Sequence, residues 1–199
     1  MFDLVVGVSG RHIHLTQEHL EILFGPGYTL TPLRFLNQPG QFAAEETVTI
    51  VGSKGSIGRV RILGPVRNQS QVELSVTDGY TLGINLPVRD SGDIEDSSPI
   101  ILEGPEDELE LSQGAIIAKR HIHLNTEEAE EYGLEDNDLV TVESQGERGL
   151  IFKNVLVRVR DSYVGEFHID TDEANAAGLI TGEYVKIMSQ KALDSVRML

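Results

Sequence analysis

The chain contains no cysteine, which excludes disulfides, thiolate metal ligands and a cysteine nucleophile together. Positive charge is scarce: 16 Lys and Arg stand against 32 Asp and Glu, a formal net charge of −16. That balance argues against nonspecific binding to nucleic acid or anionic membranes, so an anionic substrate needs a local arginine cluster working against the overall field. Long apolar runs are missing as well, and the opening Met1-Phe2-Asp3-Leu4-Val5-Val6 reads as a strand without a basic lead. Neither a signal peptide nor a membrane span is expected, and a cytoplasmic protein is. With 199 residues, 40% of them hydrophobic, there is enough apolar material for one large domain or two small ones.

What the chain does have is a repeat. Arg-His-Ile-His-Leu occurs at Arg11-His12-Ile13-His14-Leu15 and again at Arg120-His121-Ile122-His123-Leu124. Each copy follows an apolar run, Leu4-Val5-Val6-Gly7-Val8 or Gly114-Ala115-Ile116-Ile117-Ala118, that predicts a strand. In an extended segment residues i and i+2 share a face, so His12 projects with His14 and His121 with His123, while Ile13 and Ile122 turn the other way into a core. One His-x-His pair is equally consistent with two histidines bonded to backbone. Four of six histidines in two identical pairs point instead to metal binding.

A helix is expected after each motif. Asn125 caps one that carries Glu128 at its third position and ends at Gly133; Thr16 caps the other, which ends at Gly25-Pro26. A third copy appears when His168-Ile169-Asp170-Thr171-Asp172-Glu173-Ala174 is laid on His123-Leu124-Asn125-Thr126-Glu127-Glu128-Ala129. The same offset of 45 carries Gly178-Leu179 onto Gly133-Leu134 and Tyr184–Ile187 onto the strand 139–142. His168 thus takes the place of His123, and the repeated unit suggests a small barrel with internal pseudo-symmetry. His19, the one histidine outside the pattern, is expected to be partly exposed on the first helix.

The middle of the chain reads as strands at 46–51, 57–63, 71–76, 81–85 and 100–104, a barrel or sandwich pattern. Residues 34–42 read as a loop able to line a cleft, the acidic 103–110 stretch as a solvated linker, and 189–199 as a helical or disordered tail. Five histidines exceed what one tetrahedral ion takes, so two ions are expected, with a carboxylate among their ligands. Glu73 and Asp90 are the candidates.

Four segments together resemble the PduL-type phosphate acyltransferases, also called phosphate propanoyltransferases: the repeated Arg-His-Ile-His-Leu, Arg67-Asn68-Gln69-Ser70-Gln71-Val72-Glu73, Pro87-Val88-Arg89-Asp90-Ser91-Gly92-Asp93 and Gly165-Glu166-Phe167-His168-Ile169-Asp170. The resemblance runs from about Val5 to about Met188 and implies a mainly β fold of two small barrels capped by short helices, with the site in a cleft between them. On that reading 1–10 plus 119–188 form one barrel, 11–118 the other with an insertion around 25–45, and 189–199 a tail. The resemblance assigns one zinc to His12 and His14 and a second to His121, His123 and His168, with Glu73 bridging; other divalent ions fit such ligands. It places Arg67, Gln71, Ser91 and Arg158 around the reacting phosphate, Gln38 and Gln41 in the cleft loop, and Tyr80 against the adenine of coenzyme A.

The implied reaction is acyl-CoA plus phosphate giving acyl phosphate plus CoA, reversibly, by direct attack of metal-bound phosphate on the thioester of a propanoyl or acetyl substrate. Relatives housed in microcompartments carry an N-terminal amphipathic extension that is not seen here, which favours a free cytoplasmic form. A homo-oligomer is compatible with this reading; nucleic acid and membrane are not expected partners. Two other classes fit the same ligands: a two-metal hydrolase and a non-catalytic metal-binding protein.

Overall fold

The computed structural model describes residues 2–188. The described chain divides into two compact units, one made of the N-terminal segment through Ser9 with residues 119–188, the other of Gly10–Ala118. Both are β-barrels with short helices. The first unit contains β1 (Phe2–Ser9), β10 (His121–Leu124), β11 (Leu139–Ser144), β12 (Ile151–Val159), β13 (Glu166–Asp170) and β14 (Tyr184–Ile187), closed in the order β1-β13-β10-β12-β11-β14. The second contains β2 (His12–His14), β3 (Pro32–Phe35), β4 (Phe42–Val51), β5 (Ser56–Gly64), β6 (Gln71–Glu73), β7 (Val88–Arg89), β8 (Ser98–Glu103) and β9 (Glu108–Ala118). Here β9-β6-β2-β5-β4-β8 close a ring because β8 pairs with both β4 and β9; β3 and β7 are additions at its margin.

The two rings have one topology. In the first, β1 runs parallel to β13, β13 antiparallel to β10, β10 parallel to β12, and β11 and β14 complete the ring with antiparallel pairs. In the second, β9, β6, β2, β5, β4 and β8 repeat those relations in the same order. The helices correspond too: α1 (Gln17–Phe24) follows β2 as α3 (Thr126–Tyr132) follows β10, and α2 (Val76–Leu82) follows β6 as α4 (Thr171–Ala177) follows β13. Even a left-handed residue in the strand beside each motif is shared, Arg59 at φ 58° and Asn154 at φ 56°. Each Arg-His-Ile-His-Leu copy begins where the chain passes from one unit into the other, so the strand leading into a motif and the motif itself belong to different barrels.

Caps explain where the helices start and stop. Asn125 with Glu128, Asp170 with Glu173 and Ser75 with Asp78 form capping boxes, and Thr16 caps α1 alone. Gly83, Gly133 and Gly178 end three helices at φ 66° to 71°, the left-handed region where a Cβ is unfavourable. Ile13, Leu15, Ile122 and Leu124 are fully buried in the two apolar cores, as the alternation of the motif requires. Burying each such side chain contributes roughly 1.5–3 kcal/mol.

Several expectations are corrected. The strand read at 71–76 ends at Glu73, and the strand read at 81–85 does not exist: Ser75 and Asp78 nucleate α2 instead. Its β-branched Val76, Thr77 and Thr81 favour strand locally, but the reciprocal cap bonds and the shape of the barrel decide for helix. The loop read at 34–42 contains part of the β3–β4 hairpin. The acidic linker at 103–110 is a tight turn between paired strands, closed by Gly104 N–H donating to the Asp107 carbonyl. The tail at 189–199 lies outside the described residues. None of the described helices is long and apolar enough to cross a membrane.

Candidate metal centres

Among the described residues, two groups of side chains are able to hold a metal ion, one in each unit: His12, His14 and Glu73 in the second, His121, His123 and His168 in the first. In both groups the ligand atoms lie within 4.8 Å of one another. Strand register assembles them. β2 and β6 pair antiparallel with His12 opposite Glu73, and β10 and β13 pair antiparallel with His121 opposite His168. Glu73 and His168 therefore occupy the same position in two copies of one barrel, and Gln71 corresponds to Glu166.

Each residue of the repeated pentapeptide has a task. Arg11 Nε donates to Asp78 Oδ1 at 2.9 Å, and Arg120 Nε stands 2.8 Å from Glu173 Oε1. Asp78 and Glu173 are the third residues of the capping boxes after β6 and β13, so the arginine ties its strand to the helix start beyond the neighbouring strand. The first histidine is fixed through Nδ1: His12 donates to the Gly10 carbonyl at 2.9 Å and His121 to the Lys119 carbonyl at 2.8 Å. A carbonyl only accepts, so Nδ1 carries a proton and Nε2 is the nitrogen left to meet a metal ion. The isoleucine and leucine anchor the core. The second histidine is left over: Nδ1 of His14 and both ring nitrogens of His123 are buried without a hydrogen-bond partner.

Such orphaned ring nitrogens are costly unless something binds them. A divalent cation does so, and an imidazole and carboxylate donor set without thiolate suits zinc or a related ion. Both triads fit a metal on these grounds. Their electrostatics agree. Burial first, then the charges of His12 and Arg67, holds His14 well below the ordinary histidine value. Burial, with His121, His168, Arg158 and Arg160, lowers His123 to about 2. Both rings are therefore neutral and their lone pairs free of protons at ordinary pH.

Glu73, 8% exposed, sits in a network. Gln71 Nε2 donates to Glu73 Oε1 at 2.6 Å, Ser91 Oγ donates to the same oxygen at 2.7 Å, and Gly92 N–H holds Gln71 Oε1 at 2.7 Å. Glu73 Oε2 lies 3.5 Å from His12 Nε2. Of the two candidate carboxylates, Glu73 stands with the histidines, whereas Asp90 belongs to the turn that delivers Ser91. Arg67 is half-buried and its charge bears on both His12 and His14; its backbone N–H donates to the Leu15 carbonyl, fixing its loop to the end of the motif. Arg158 pairs in register with His123 on the adjoining strand. Gln38 is buried and Gln41 half-buried in one turn, closed by Gln41 N–H on the Gln38 carbonyl at 3.2 Å. Tyr80 stands on α2 with its ring 81% exposed.

Three neighbours were not singled out by sequence reasoning. Tyr163 places its ring 4.1 Å from that of His123, with the Arg160 guanidinium 5.6 Å from the centre of the Tyr163 ring. Glu166 is buried two residues before His168, and the offset of 45 that revealed His168 also lays Glu166 on His121. Ser70, likewise buried, bonds the half-buried His19 at 2.7 Å and accepts from Thr16 N–H, which pins α1 to the segment that carries Arg67 and Gln71.

Comparison with known proteins agrees with the resemblance carried by the motifs. The family described as phosphate propanoyltransferase matches residues 5–180. The phosphate propanoyltransferase of Thermotoga maritima is 57% identical over 93% of this chain and 89% of its own length. Those of Lachnoclostridium phytofermentans and Clostridioides difficile are 53% and 48% identical, over 94% and 93% of this chain and 88% of each relative. These likenesses make the chain a member of the phosphate propanoyltransferase family, and so an acyltransferase enzyme.

Proposed function

We propose that this protein transfers a short acyl group, propanoyl or acetyl, reversibly between coenzyme A and inorganic phosphate, with a divalent ion, zinc by preference, in each triad. The observation that carries this reading is the pairing, in a chain of this family, of a three-residue ligand group, His-His-Glu in one barrel and three histidines in the other, with an arginine charge beside it. When bound, the ions supply positive charge that draws phosphate in and polarises a thioester carbonyl. The chain supplies the rest.

Arg67 and Arg158 present guanidinium forks suited to two phosphate oxygens each, giving the local positive charge that the acidic chain otherwise lacks. Gln71 and Ser91 hold the Glu73 carboxylate in one orientation, and the Gly92 N–H holds Gln71, so the donor set is organised before substrate arrives. Attack of a phosphate oxygen on the thioester carbon forms the new C–O bond, and collapse breaks the C–S bond to release CoA. The route passes through no acyl-enzyme, in keeping with a chain that has no cysteine. The exposed Tyr80 ring suits stacking on adenine, and Gln38 and Gln41 offer amide groups to the CoA chain.

CoA release from acetyl-CoA and propanoyl-CoA, with and without phosphate and before and after chelation, tests this. Phosphate-dependent, chelator-sensitive release is expected. Release indifferent to phosphate would make the protein a metallohydrolase, and no release from metal-loaded protein would leave a non-catalytic metal binder.

A further inference from the structure

The two barrels distribute their carboxylates differently over equivalent positions. On β6 the order is Gln71 then Glu73; on β13 it is Glu166 then His168. In the second unit the first of these orients the second, because the Gln71 amide donates to the Glu73 carboxylate at 2.6 Å. In the first unit Glu166 Oε2 stands 3.1 Å from His168 Nε2. The chemistry is inverted: an amide donor serves a carboxylate ligand in one barrel, and in the other a carboxylate faces an imidazole ligand at ion-pair distance without forming a hydrogen bond to its buried Nε2.

Glu166 is only 6% exposed, and room has been made for it. Gly7 on β1 lies directly opposite His168, and a Cβ there would come within 2.7 Å of Glu166 Oε1 and 2.9 Å of Cδ. The matching place beside Glu73 in the other barrel holds Ile116, a full-sized buried side chain. Gly7 thus replaces a core residue with space, and the Glu166 carboxylate takes it.

We infer that Glu166 is the positioning residue of the His121/His123/His168 centre, steering the His168 ring and balancing the charge of an ion bound there, with Gly7 as the residue that admits it. The inference rests on the metal occupancy proposed above. Each centre then has one carboxylate, as ligand in one barrel and as partner of a ligand in the other.

The test is metal affinity, measured on the full chain by competition with a chromophoric chelator, together with the visible spectrum of the cobalt(II) protein. His14→Ala and His123→Ala identify which binding step belongs to which centre. Glu166→Gln, which preserves shape, is expected to weaken the centre of the first unit about 10–100-fold and to alter its cobalt spectrum, leaving the other centre unchanged. Gly7→Ala, which drives the carboxylate out of its space, is expected to give the same selective loss. Affinity within twofold of the parent and an unchanged spectrum in Glu166→Gln would overturn the inference while leaving the metal reading intact. Parent protein that binds no metal at this centre overturns both.

Discussion

Glu73 and His12 face each other across the β2–β6 pair, Oε2 3.5 Å from Nε2, and in the metal-free protein each keeps the other charged. Burial opposes the charge of His12, but the Glu73 carboxylate outweighs it and raises its pKa above the ordinary 6.5. Burial likewise opposes ionised Glu73, but His12, then His14 and Ser91, hold its pKa well below 4.5. The His12 contribution to stability is complete below 6.5 and lost as pH rises through its raised value; that of Glu73 is complete above 4.5 and lost as pH falls through its lowered value. Chelator-treated protein should therefore lose stability as pH rises above 6.5 through the raised His12 value. Glu73→Gln should flatten that slope, and His12→Ala, which strands a buried carboxylate, should cost about 3–5 kcal/mol in denaturant titrations at about pH 6.

Each triad draws its ligands from a single unit, so removing one histidine tests whether the two metals are lost separately or together. His14→Ala is expected to leave one equivalent of bound metal and His123→Ala the other, with the double variant retaining none, as read by elemental analysis after gel filtration. Loss of both equivalents in either single variant, with folding retained by circular dichroism, would contradict independent centres.

Ser91 acts on Glu73 through one hydrogen bond of 2.7 Å. Ser91→Ala should weaken metal binding in the second unit about 10–100-fold, in line with the loss of other partners of metal ligands. Excess metal should restore part of its acyl transfer if Ser91 serves only to orient Glu73. A defect that saturating metal leaves untouched would instead place Ser91 against substrate.

Gly52 and Gly104 lie under the ends of the first two helices. A Cβ at Gly52 would press on the Leu82 carbonyl and come 2.7 Å from Leu82 Cβ; at Gly104 it would meet the Leu23 carbonyl and come 2.8 Å from Leu23 Cβ. Leu23 and Leu82 are fully buried, so neither helix end has room to retreat. Either glycine changed to alanine should cost about 1–3 kcal/mol, measured as a lowered denaturation midpoint with the denaturant slope unchanged.

Local information was enough for much of this protein. The period of two in Arg-His-Ile-His-Leu puts both histidines on one face and Ile13 or Ile122 in a core, and the caps at Thr16 and Asn125 begin helices where the chemistry of Thr and Asn says they should. The offset of 45 led to His168 because it follows repeated local signals.

Other features have no local cause. Residues 76–82 became helix despite β-branched side chains because the Ser75–Asp78 box and the barrel outweighed propensity. Nothing near Arg11 or Arg120 in sequence names Asp78 or Glu173 as its partner, and nothing near Gly7 announces Glu166. By itself the sequence determined that each pair of histidines shares one strand face, since residue type and strand alternation are local. Only tertiary structure decided that Glu73 stands where His168 does, and which residues hold them, because strand register between distant segments is set by the closing of each barrel.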